Sequence, residues 1–245
     1  MKVVIAGELP LAEELLGLCV AAGREAALYL VETLNDAETA AKLRDDAATA
    51  EAAIECHNES KAAKRQLVQM LGGARAIYVS ALACSATEAA SWAAHPERVV
   101  GWGALPPVEA SQVVEVAAAL QTAPDALAQA RAFWAGLNLQ TALVADGPGL
   151  VRARIVCALV NEAASALMEG VASPADIDTA MKLGTNYPRG PLEWGDLIGL
   201  DLVLGVMRGL QEEFGEDRYR PCPLLARYAL AGRLGKKVGK GFFEY

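Results

Sequence analysis

A six-residue turn near the start of the chain, Gly7-Glu8-Leu9-Pro10-Leu11-Ala12, lies between an apolar run and a helical pattern, where a phosphate-binding turn would stand. Such a turn uses glycines and exposed backbone N–H groups at the helix start, because the helix dipole favours an anion there. This turn keeps only the first glycine, Pro10 lacks an N–H group, and Glu13 and Glu14 add negative charge. The turn predicts the remains of a dinucleotide site, with weak or absent dinucleotide binding.

Histidine and cysteine side chains are the other candidates for chemistry. Two histidines are too few for a multi-histidine metal site, and five scattered cysteines without a CxxC pair predict buried free thiols. His57 follows the third predicted strand, near Glu55 and Glu59, and two interpretations stay open: a substitute general base or a solvated loop residue. His95 precedes a proline and is predicted to be a loop residue. The cysteines are Cys19, Cys56, Cys84, Cys157 and Cys222.

The composition of the 245-residue chain restricts its class and its partners. With 53% hydrophobic and 21% charged residues, the chain is predicted to be globular with a sizeable core. The net charge of −8 argues against a nucleic-acid partner, since such binding depends on Lys and Arg. No apolar run approaches the roughly 18 residues of a membrane span, and the N-terminus lacks the pattern of a signal peptide. We therefore expect a cytoplasmic protein without a membrane partner.

Short apolar runs alternate with helical patterns in the first part of the chain, which predicts βαβ crossovers and a mainly parallel sheet. The predicted strands are Val3–Ala6, Ala26–Val31, Ala52–Cys56, Ala76–Val79, Val99–Trp102, Val113–Ala117 and Thr141–Val144. The predicted helices between them are Leu11–Ala22, Leu34–Thr49, Lys61–Leu71, Ala86–Ala94 and Pro124–Leu137. The fold class predicted here is α/β, followed by an all-α part.

The pattern changes after Asp146-Gly147-Pro148-Gly149, where strand signals stop and helical periodicity takes over. We therefore predict two domains, residues 1–146 and 147–245. The predicted helices are Leu150–Glu169, one starting at the capping sequence Ser173–Asp176, Asp201–Phe214 and Leu224–Ala231. In the glycine-rich tail, we expect solvated lysines at Lys236, Lys237 and Lys240, and aromatic packing by Phe242, Phe243 and Tyr245.

Three motifs of the second part, "NEAASALMEGVASPADIDTAMKLGTNYPRGPLEWGDLIGLD", "EDRYRPCPLL" and "GRLGKKVGKGFFEY", strongly resemble the helical C-terminal domain of 3-hydroxyacyl-CoA dehydrogenases, which is 6-phosphogluconate-dehydrogenase-C-like. The first part resembles that family's Rossmann domain more weakly, through "AIECHNESKAAKRQL", "SATEAASWAAHPERVVGW" and "DGPGLV". It is shorter than usual, since Val31 and Ile54 leave no room for the family's helical hairpin. The chain is most similar to the second half of long, duplicated members, with a reduced Rossmann domain.

The resemblance implies a reaction, a cofactor and partners. The reaction is NAD-dependent oxidation of a (3S)-hydroxyacyl-CoA to the 3-ketoacyl-CoA, as in the beta-oxidation of fatty acids. A histidine abstracts the hydroxyl proton while hydride leaves to the nicotinamide, and a glutamate orients the imidazole. The implied ligands are NAD and acyl-CoA. Because helical domains of this family pair with one another, a homodimer or a heteromer with a related dehydrogenase is also implied.

Carried over residue by residue, the resemblance implies a degenerate active site. The family's "GLHFFNP" corresponds to Gly101-Trp102-Gly103-Ala104-Leu105-Pro106-Pro107, so that Gly103 stands at the catalytic histidine. Glu115 matches the partner glutamate, Leu82 stands at the serine that contacts the substrate hydroxyl, and Ala153 stands at the asparagine. Three of the four catalytic side chains are thus replaced by groups that neither give nor take a proton.

The cofactor positions are replaced in a similar way. Gly7 matches the first glycine of the GxGxxG pattern, whereas Leu9 and Ala12 stand at the second and third glycines. A leucine at the second position obstructs the approach of the pyrophosphate to the backbone. Leu30 stands at the acidic residue that would bind the adenosine ribose.

Several interpretations stay open at this point. Without a histidine, Glu115 is expected to be a strand carboxylate that faces solvent or an arginine. Arg152 and Arg154 are expected either to meet CoA phosphates or to pair with acidic residues across a dimer interface. For the whole protein, we consider an oxidoreductase that retains activity through displaced residues or a partner chain. The alternatives are a non-catalytic companion that dimerises and contacts acyl-CoA, and a small-ligand sensor.

Overall fold

The computed structural model describes residues 1–108 and 113–245. The chain divides into two compact units, Met1–Val151 and Arg152–Tyr245. The first unit is an α/β sheet structure and the second consists of helices, so the predicted fold class is confirmed. No helix in the described part of the chain is both long and apolar enough to cross a membrane.

A seven-stranded sheet in the order β2-β1-β3-β4-β5-β6-β7 forms the centre of the first unit. Neighbouring strands are parallel except for β5 and β6, which are antiparallel. All seven predicted strands are confirmed, with ends shifted by at most one residue. The strands are β1 Lys2–Gly7, β2 Glu25–Leu30, β3 Ala52–Cys56, β4 Ile77–Ser80, β5 Val99–Gly103, β6 Val113–Ala118 and β7 Gln140–Leu143.

Within residues 1–107 and 113–151, five α-helices accompany the strands, and side-chain caps start three of them. Asp36, Ser60 and Ser85 each accept a backbone N–H three residues on, which satisfies one of the free donors at a helix start. The helix after Ser85 ends at Ala90, four residues earlier than predicted. The Ser91 hydroxyl donates to the Glu88 carbonyl at 2.6 Å, in competition with the helix. The helices are α1 Leu11–Ala21, α2 Ala37–Thr49, α3 Lys61–Met70, α4 Ala86–Ala90 and α5 Pro124–Ala135.

The core of this unit lies on both faces of the sheet, because successive strand residues point to opposite faces. Val3 and Ile5 of β1 pack with α1 and α5, together with Trp102 and Trp134. Val4 and Ala6 pack on the other face with α2, α3 and α4. The helices therefore cover both sides of the sheet, and the carboxyl ends of β1, β3 and β4 meet at one edge.

The second unit contains five helices, four of which match predictions. The Ser173 hydroxyl accepts the N–H of Asp176 at 3.2 Å, which confirms the predicted cap. The helix at Pro191–Ile198 was not predicted. The start of this helix is capped by a residue of the preceding helix. The Asp178 carboxylate accepts the N–H groups of Leu192 and Glu193 at 2.9 and 2.8 Å. The helices are α6 Arg152–Met168, α7 Pro174–Thr185, α8 Pro191–Ile198, α9 Leu200–Phe214 and α10 Pro223–Leu230.

The C-terminal tail packs against α8 through one buried carboxylate. Asp196 is 1% exposed and accepts the N–H groups of Phe242 and Phe243, each at 2.8 Å. The Tyr245 hydroxyl donates to the same carboxylate at 3.2 Å, and Phe242 contacts the Tyr228 ring. The predicted packing is confirmed for Phe242, which is buried, whereas the Tyr245 side chain is 55% exposed and contacts the domain through its hydroxyl. The three tail lysines are exposed, as predicted, and Lys237 and Lys240 also form ion pairs with Asp201 and Glu244.

Candidate functional site

Gly103 and Glu115 are direct neighbours across β5 and β6. The antiparallel register pairs Gly103, the last residue of β5, with Glu115 in β6. The positions that the resemblance gives to the catalytic histidine and its partner glutamate therefore lie side by side. The Glu115 side chain is 8% exposed, so the expectation that it faces solvent is wrong. Strand side chains project from the faces of the sheet, so the low exposure means that other residues cover the face on which Glu115 lies.

The space next to Gly103 is filled by two leucine side chains. A β-carbon at this position would lie 2.8 Å from Cδ1 of Leu150 and 3.1 Å from Cδ2 of Leu82. Leu82 stands at the serine position of the resemblance, and both leucines are buried. A larger side chain at residue 103 would therefore overlap them, and overpacking of a core costs about 1–3 kcal/mol.

Ala153 and Arg154 belong to the second unit, in the first turn of α6. Ala153 is 1% exposed and offers no polar side-chain atom. The Arg154 guanidinium lies 4.6 Å from the ring of Phe214 and donates to the hydroxyl of Tyr219. Arg154 therefore finds aromatic partners within its own unit, which neither of the two expected interpretations included.

Gly7 ends β1 in close contact with β3. A β-carbon at this position would overlap Sγ of Cys56 and lie 2.9 Å from the Cys56 carbonyl carbon. A glycine is therefore needed here for the approach of the two strands. Strand packing against Cys56 therefore explains the glycine at residue 7, whether or not a dinucleotide binds.

The rest of the turn combines an exposed leucine with a buried alanine. The cis Leu9–Pro10 bond precedes α1, and no side chain caps the helix start. Leu9 is 42% exposed, whereas Ala12 is completely buried. Leu9, at the second glycine position, therefore lies at the surface of this unit, and Ala12, at the third, lies in its core.

Two glutamates of this region bind backbone N–H groups of other loops. Glu8 Oε1 accepts the N–H of Asn58, after β3, at 2.9 Å. Glu14 Oε2 accepts the N–H of Val108, after β5, at 3.0 Å. Both carboxylates thus link the start of α1 to loops at the carboxyl edge of the sheet, the edge at which ligands bind in open α/β folds.

His57 is buried, and both of its ring nitrogens face a partner. It is 5% exposed, Nδ1 lies 2.5 Å from Glu8 Oε2, and Nε2 accepts the N–H of Ser60 at 3.0 Å. Burial lowers the pKa of His57, but the hydrogen bond and charge of Glu8 outweigh this effect and raise it. The solvated interpretation is therefore wrong. The general-base interpretation has no free nitrogen to act through.

A buried ion pair lies beneath this loop, and the sequence analysis did not find it. Lys64 Nζ, on α3, is 2.5 Å from Glu55 Oε2 on β3 and donates to the His57 carbonyl at 2.8 Å. Glu55 also accepts the N–H groups of His57 and Ser80. Burial raises the pKa of Glu55, while the charge of Lys64 opposes that effect. The missed signal was a glutamate inside an otherwise apolar five-residue strand, because such a residue needs a buried partner.

All five cysteines are buried free thiols, as predicted. Within residues 1–108 and 113–245, no group of three or more His, Cys, Asp or Glu side chains has an arrangement that could hold a metal ion. The polar groups at the carboxyl edge of the sheet include the carboxylates of Glu8, Glu14 and Glu55, the His57 imidazole and the Lys64 ammonium group.

Comparison with known proteins gives the same family for both parts of the chain. Residues 149–245 match the model of the 3-hydroxyacyl-CoA dehydrogenase C-terminal domain, and residues 13–147 match that of the NAD-binding domain. A probable 3-hydroxybutyryl-CoA dehydrogenase of Bacillus subtilis is 42% identical over 159 residues, which are 65% of this chain and 55% of that protein. A 3-hydroxybutyryl-CoA dehydrogenase of Bradyrhizobium diazoefficiens is 38% identical over 210 residues, 84% of this chain and 72% of that protein.

Solved structures agree with these sequence matches. The (S)-3-hydroxybutyryl-CoA dehydrogenase PaaH1 of Ralstonia eutropha has a TM-score of 0.80 and 29% identity, over 100% of this chain and 98% of that chain. FadB2 of Mycobacterium tuberculosis has a TM-score of 0.83 and 26% identity, over 99% and 98%. The chain belongs to the 3-hydroxyacyl-CoA dehydrogenase family, and its first part matches that family's NAD-binding domain.

Proposed function

We propose that this chain is a non-catalytic companion within the 3-hydroxyacyl-CoA dehydrogenase family and acts in the acyl-CoA metabolism of that family. The family reaction needs a proton acceptor beside the partner glutamate. The observation that carries the proposal is the packing of Leu82 and Leu150 over Gly103, next to Glu115. No base is present at the histidine position, and a side chain there would have to displace the ends of both leucines, so autonomous oxidation of a (3S)-hydroxyacyl-CoA is expected to be negligible.

Weak or absent NAD binding is the second part of the proposal. The match to the NAD-binding domain begins at residue 13, after the turn that would hold the pyrophosphate. Glu8 and Glu14 accept backbone N–H groups in this region, so their negative charges would oppose a bound diphosphate. Pro10 has no backbone N–H group to donate to a phosphate, and Leu30 has no carboxylate to bind the ribose. The residues present do not fit NAD, and no step of the proposed function involves it.

Acyl-CoA binding and association are the functions that we propose instead. The Bacillus and Bradyrhizobium relatives are named as 3-hydroxybutyryl-CoA dehydrogenases, and an acyl-CoA is accordingly the ligand proposed here. Several large apolar side chains of the second unit are exposed, including Ile155 at 55%, Leu183 at 82% and Leu230 at 84%. Exposed apolar surface of this kind supports pairing with a second copy or with a related dehydrogenase. We also propose that the domains are residues 1–146 and 147–245 and that the protein is cytoplasmic.

Two measurements test the catalytic part of the proposal. Titration of the full chain with NADH, followed by NADH fluorescence, should give no saturation in the low micromolar range. Incubation with NAD and 3-hydroxybutyryl-CoA should give negligible turnover, with the Bradyrhizobium dehydrogenase as the positive control. A dissociation constant in the low micromolar range, or a turnover of roughly 1–10³ per second, would refute the proposal.

Light scattering over a dilution series tests the companion role. We expect a mass well above the 25.7 kDa of one chain, or a shift in mass on addition of a complete family member. Acyl-CoA binding is measured separately by calorimetry with 3-hydroxybutyryl-CoA. A monomer that neither associates nor binds acyl-CoA would contradict this role.

A further inference from the structure

A cavity of about 320 Å³ opens at the amino ends of β3 and β4, at the opposite edge of the sheet from Gly7. Ala52, Ala76 and Phe133 give it apolar walls, and Arg24, Tyr78 and Glu51 contribute polar groups. The cavity lies within the first unit and shares no residue with the degenerate site. An inference about it is therefore independent of the proposed function.

Arg24 brings a cationic side chain to this cavity. Its guanidinium lies 4.2 Å from the centre of the Phe133 ring, and Nη2 donates to the Phe133 carbonyl at 3.1 Å. Nη1 is buried and has no hydrogen-bond acceptor among the described residues. A buried donor without an acceptor is costly, and more so on a charged group. The aromatic ring and the carbonyl thus hold the guanidinium in place while one of its nitrogens lacks a partner.

Tyr78 brings a second donor from the floor of the cavity. Its side chain is 2% exposed, and its ring packs against Phe133 with the ring centres 4.8 Å apart. Burial raises the pKa of Tyr78 to about 12, although the charge of Arg24 opposes this effect, so the hydroxyl keeps its proton at neutral pH.

We propose that this cavity is a binding site for a small carboxylate that carries a short apolar chain. The carboxylate would pair with the positive charge of the Arg24 guanidinium and accept a hydrogen bond from the Tyr78 hydroxyl, because both side chains line the cavity and both contact Phe133. The apolar chain would contact the walls formed by Ala52 and Ala76. The carboxylate of Glu51 also lines the cavity, and its charge disfavours a doubly charged head group such as phosphate.

Sodium pentanoate is the probe for this site, with 1-pentanol as its uncharged counterpart. Saturation-transfer NMR and calorimetry on the full chain should show saturable binding of pentanoate, much weaker binding of pentanol and no preference for inorganic phosphate. Arg24→Gln and Tyr78→Phe should each weaken pentanoate binding by about tenfold, the value of one charge-assisted hydrogen bond. Arg44→Gln, an exposed change on α2, should leave the affinity unchanged.

Three outcomes would overturn the assignment. The first is equal binding of pentanoate and pentanol, the second is no saturable binding of pentanoate, and the third is unchanged affinity in both variants. Tyr78→Phe keeps the ring that packs on Phe133, so this variant remains informative even if Arg24→Gln does not fold. Acyl-CoA binding, measured in the same samples, should not change in either variant.

Discussion

A β-carbon at residue 103 would already approach Cδ1 of Leu150 to 2.8 Å, and an imidazole ring would extend further into the same space. Glu115 lies directly across the strand pair, and we propose that its carboxylate would orient such a ring. Two buried leucine side chains, Leu82 and Leu150, occupy the space next to this residue. A substitution at residue 103 should therefore affect both stability and activity.

Restoring the histidine should cost stability without restoring activity. We expect Gly103→Ala to lower the free energy of unfolding by about 1–3 kcal/mol, because its methyl group overlaps Leu150 and Leu82. Gly103→His should lower it at least as much and show no oxidation of 3-hydroxybutyryl-CoA. Urea unfolding and the NAD-coupled assay measure the two effects.

The matched control for these variants is Gly17→Ala in α1. A β-carbon at Gly17 meets no atom within 4 Å, so this change should stabilise the helix by about 0.5–1 kcal/mol. If Gly103→Ala is as stable as the unmodified protein, the leucines can move aside and the packing argument fails.

The buried pair of Glu55 and Lys64 gives a second prediction for single residues. Lys64→Met should destabilise the protein by about 3–5 kcal/mol, because the Glu55 carboxylate is left buried without its cation. The double variant Glu55→Gln with Lys64→Met should recover part of that loss. The free energy of unfolding in urea is the quantity to measure.

Lys61→Met, one turn earlier on α3, is the control for this prediction. Lys61 pairs with Glu88 at 2.9 Å, but both side chains are about one-third exposed, and such pairs contribute roughly 0–1 kcal/mol. If Lys64→Met and Lys61→Met lower the free energy of unfolding equally, burial does not determine how much the Glu55–Lys64 pair contributes to stability.

Among the elements, α8 depends on a cap that another helix supplies. Asp178→Ala should lower the free energy of unfolding by about 1–3 kcal/mol, since two N–H groups at the start of α8 lose their acceptor. Hydrogen exchange at the amides of Leu192 and Glu193 should become faster than elsewhere in the second unit.

Thr179→Ala is the matched control, because Thr179 is the exposed neighbour of Asp178 on α7. It should leave exchange at Leu192 and Glu193 unchanged and alter stability by less than about 0.5 kcal/mol. Unchanged exchange in Asp178→Ala would indicate that α8 forms without its distant cap.

The same contact explains which elements could be predicted from the sequence. The seven strands follow from local apolar runs between turn residues, and the cap at Ser173 lies within its own helix start. The start of α8 carries no capping side chain of its own, because its acceptor, Asp178, lies on the preceding helix. His57 was misjudged for a similar reason, since the side chain of Glu8, which faces it, comes from the end of a different strand.

At the scale of the whole molecule, the five cysteines should be unreactive in the folded protein. Burial raises the pKa of the Cys19 and Cys84 thiols to about 11 and that of Cys157 to about 12. At pH 8, a thiol with a pKa of about 11 is ionised in roughly one molecule in a thousand, and the thiolate is the reactive form. We therefore expect fewer than one equivalent of thiol to react rapidly with a disulfide reagent.

The same reaction in guanidinium chloride should reveal all five thiols, which gives the control within one experiment. Rapid reaction of one or more cysteines in the folded protein would mean that the core opens more readily than its packing indicates. The family and the fold class were predictable at this scale, because they depend on long motifs. The packing over Gly103 was not, since Leu82 and Leu150 are far from residue 103 in the sequence.

The leucines that contact Gly103 would also affect how a histidine could arise at residue 103. A histidine that arises first meets both side chains, whereas an alanine that arises first at residue 82 or 150 leaves a cavity in the core. Either single step destabilises a protein whose total stability is typically only about 5–15 kcal/mol. If the site is non-catalytic, as we propose, selection for a stable fold would by itself oppose the return of a histidine, and a catalytic descendant would need several simultaneous substitutions.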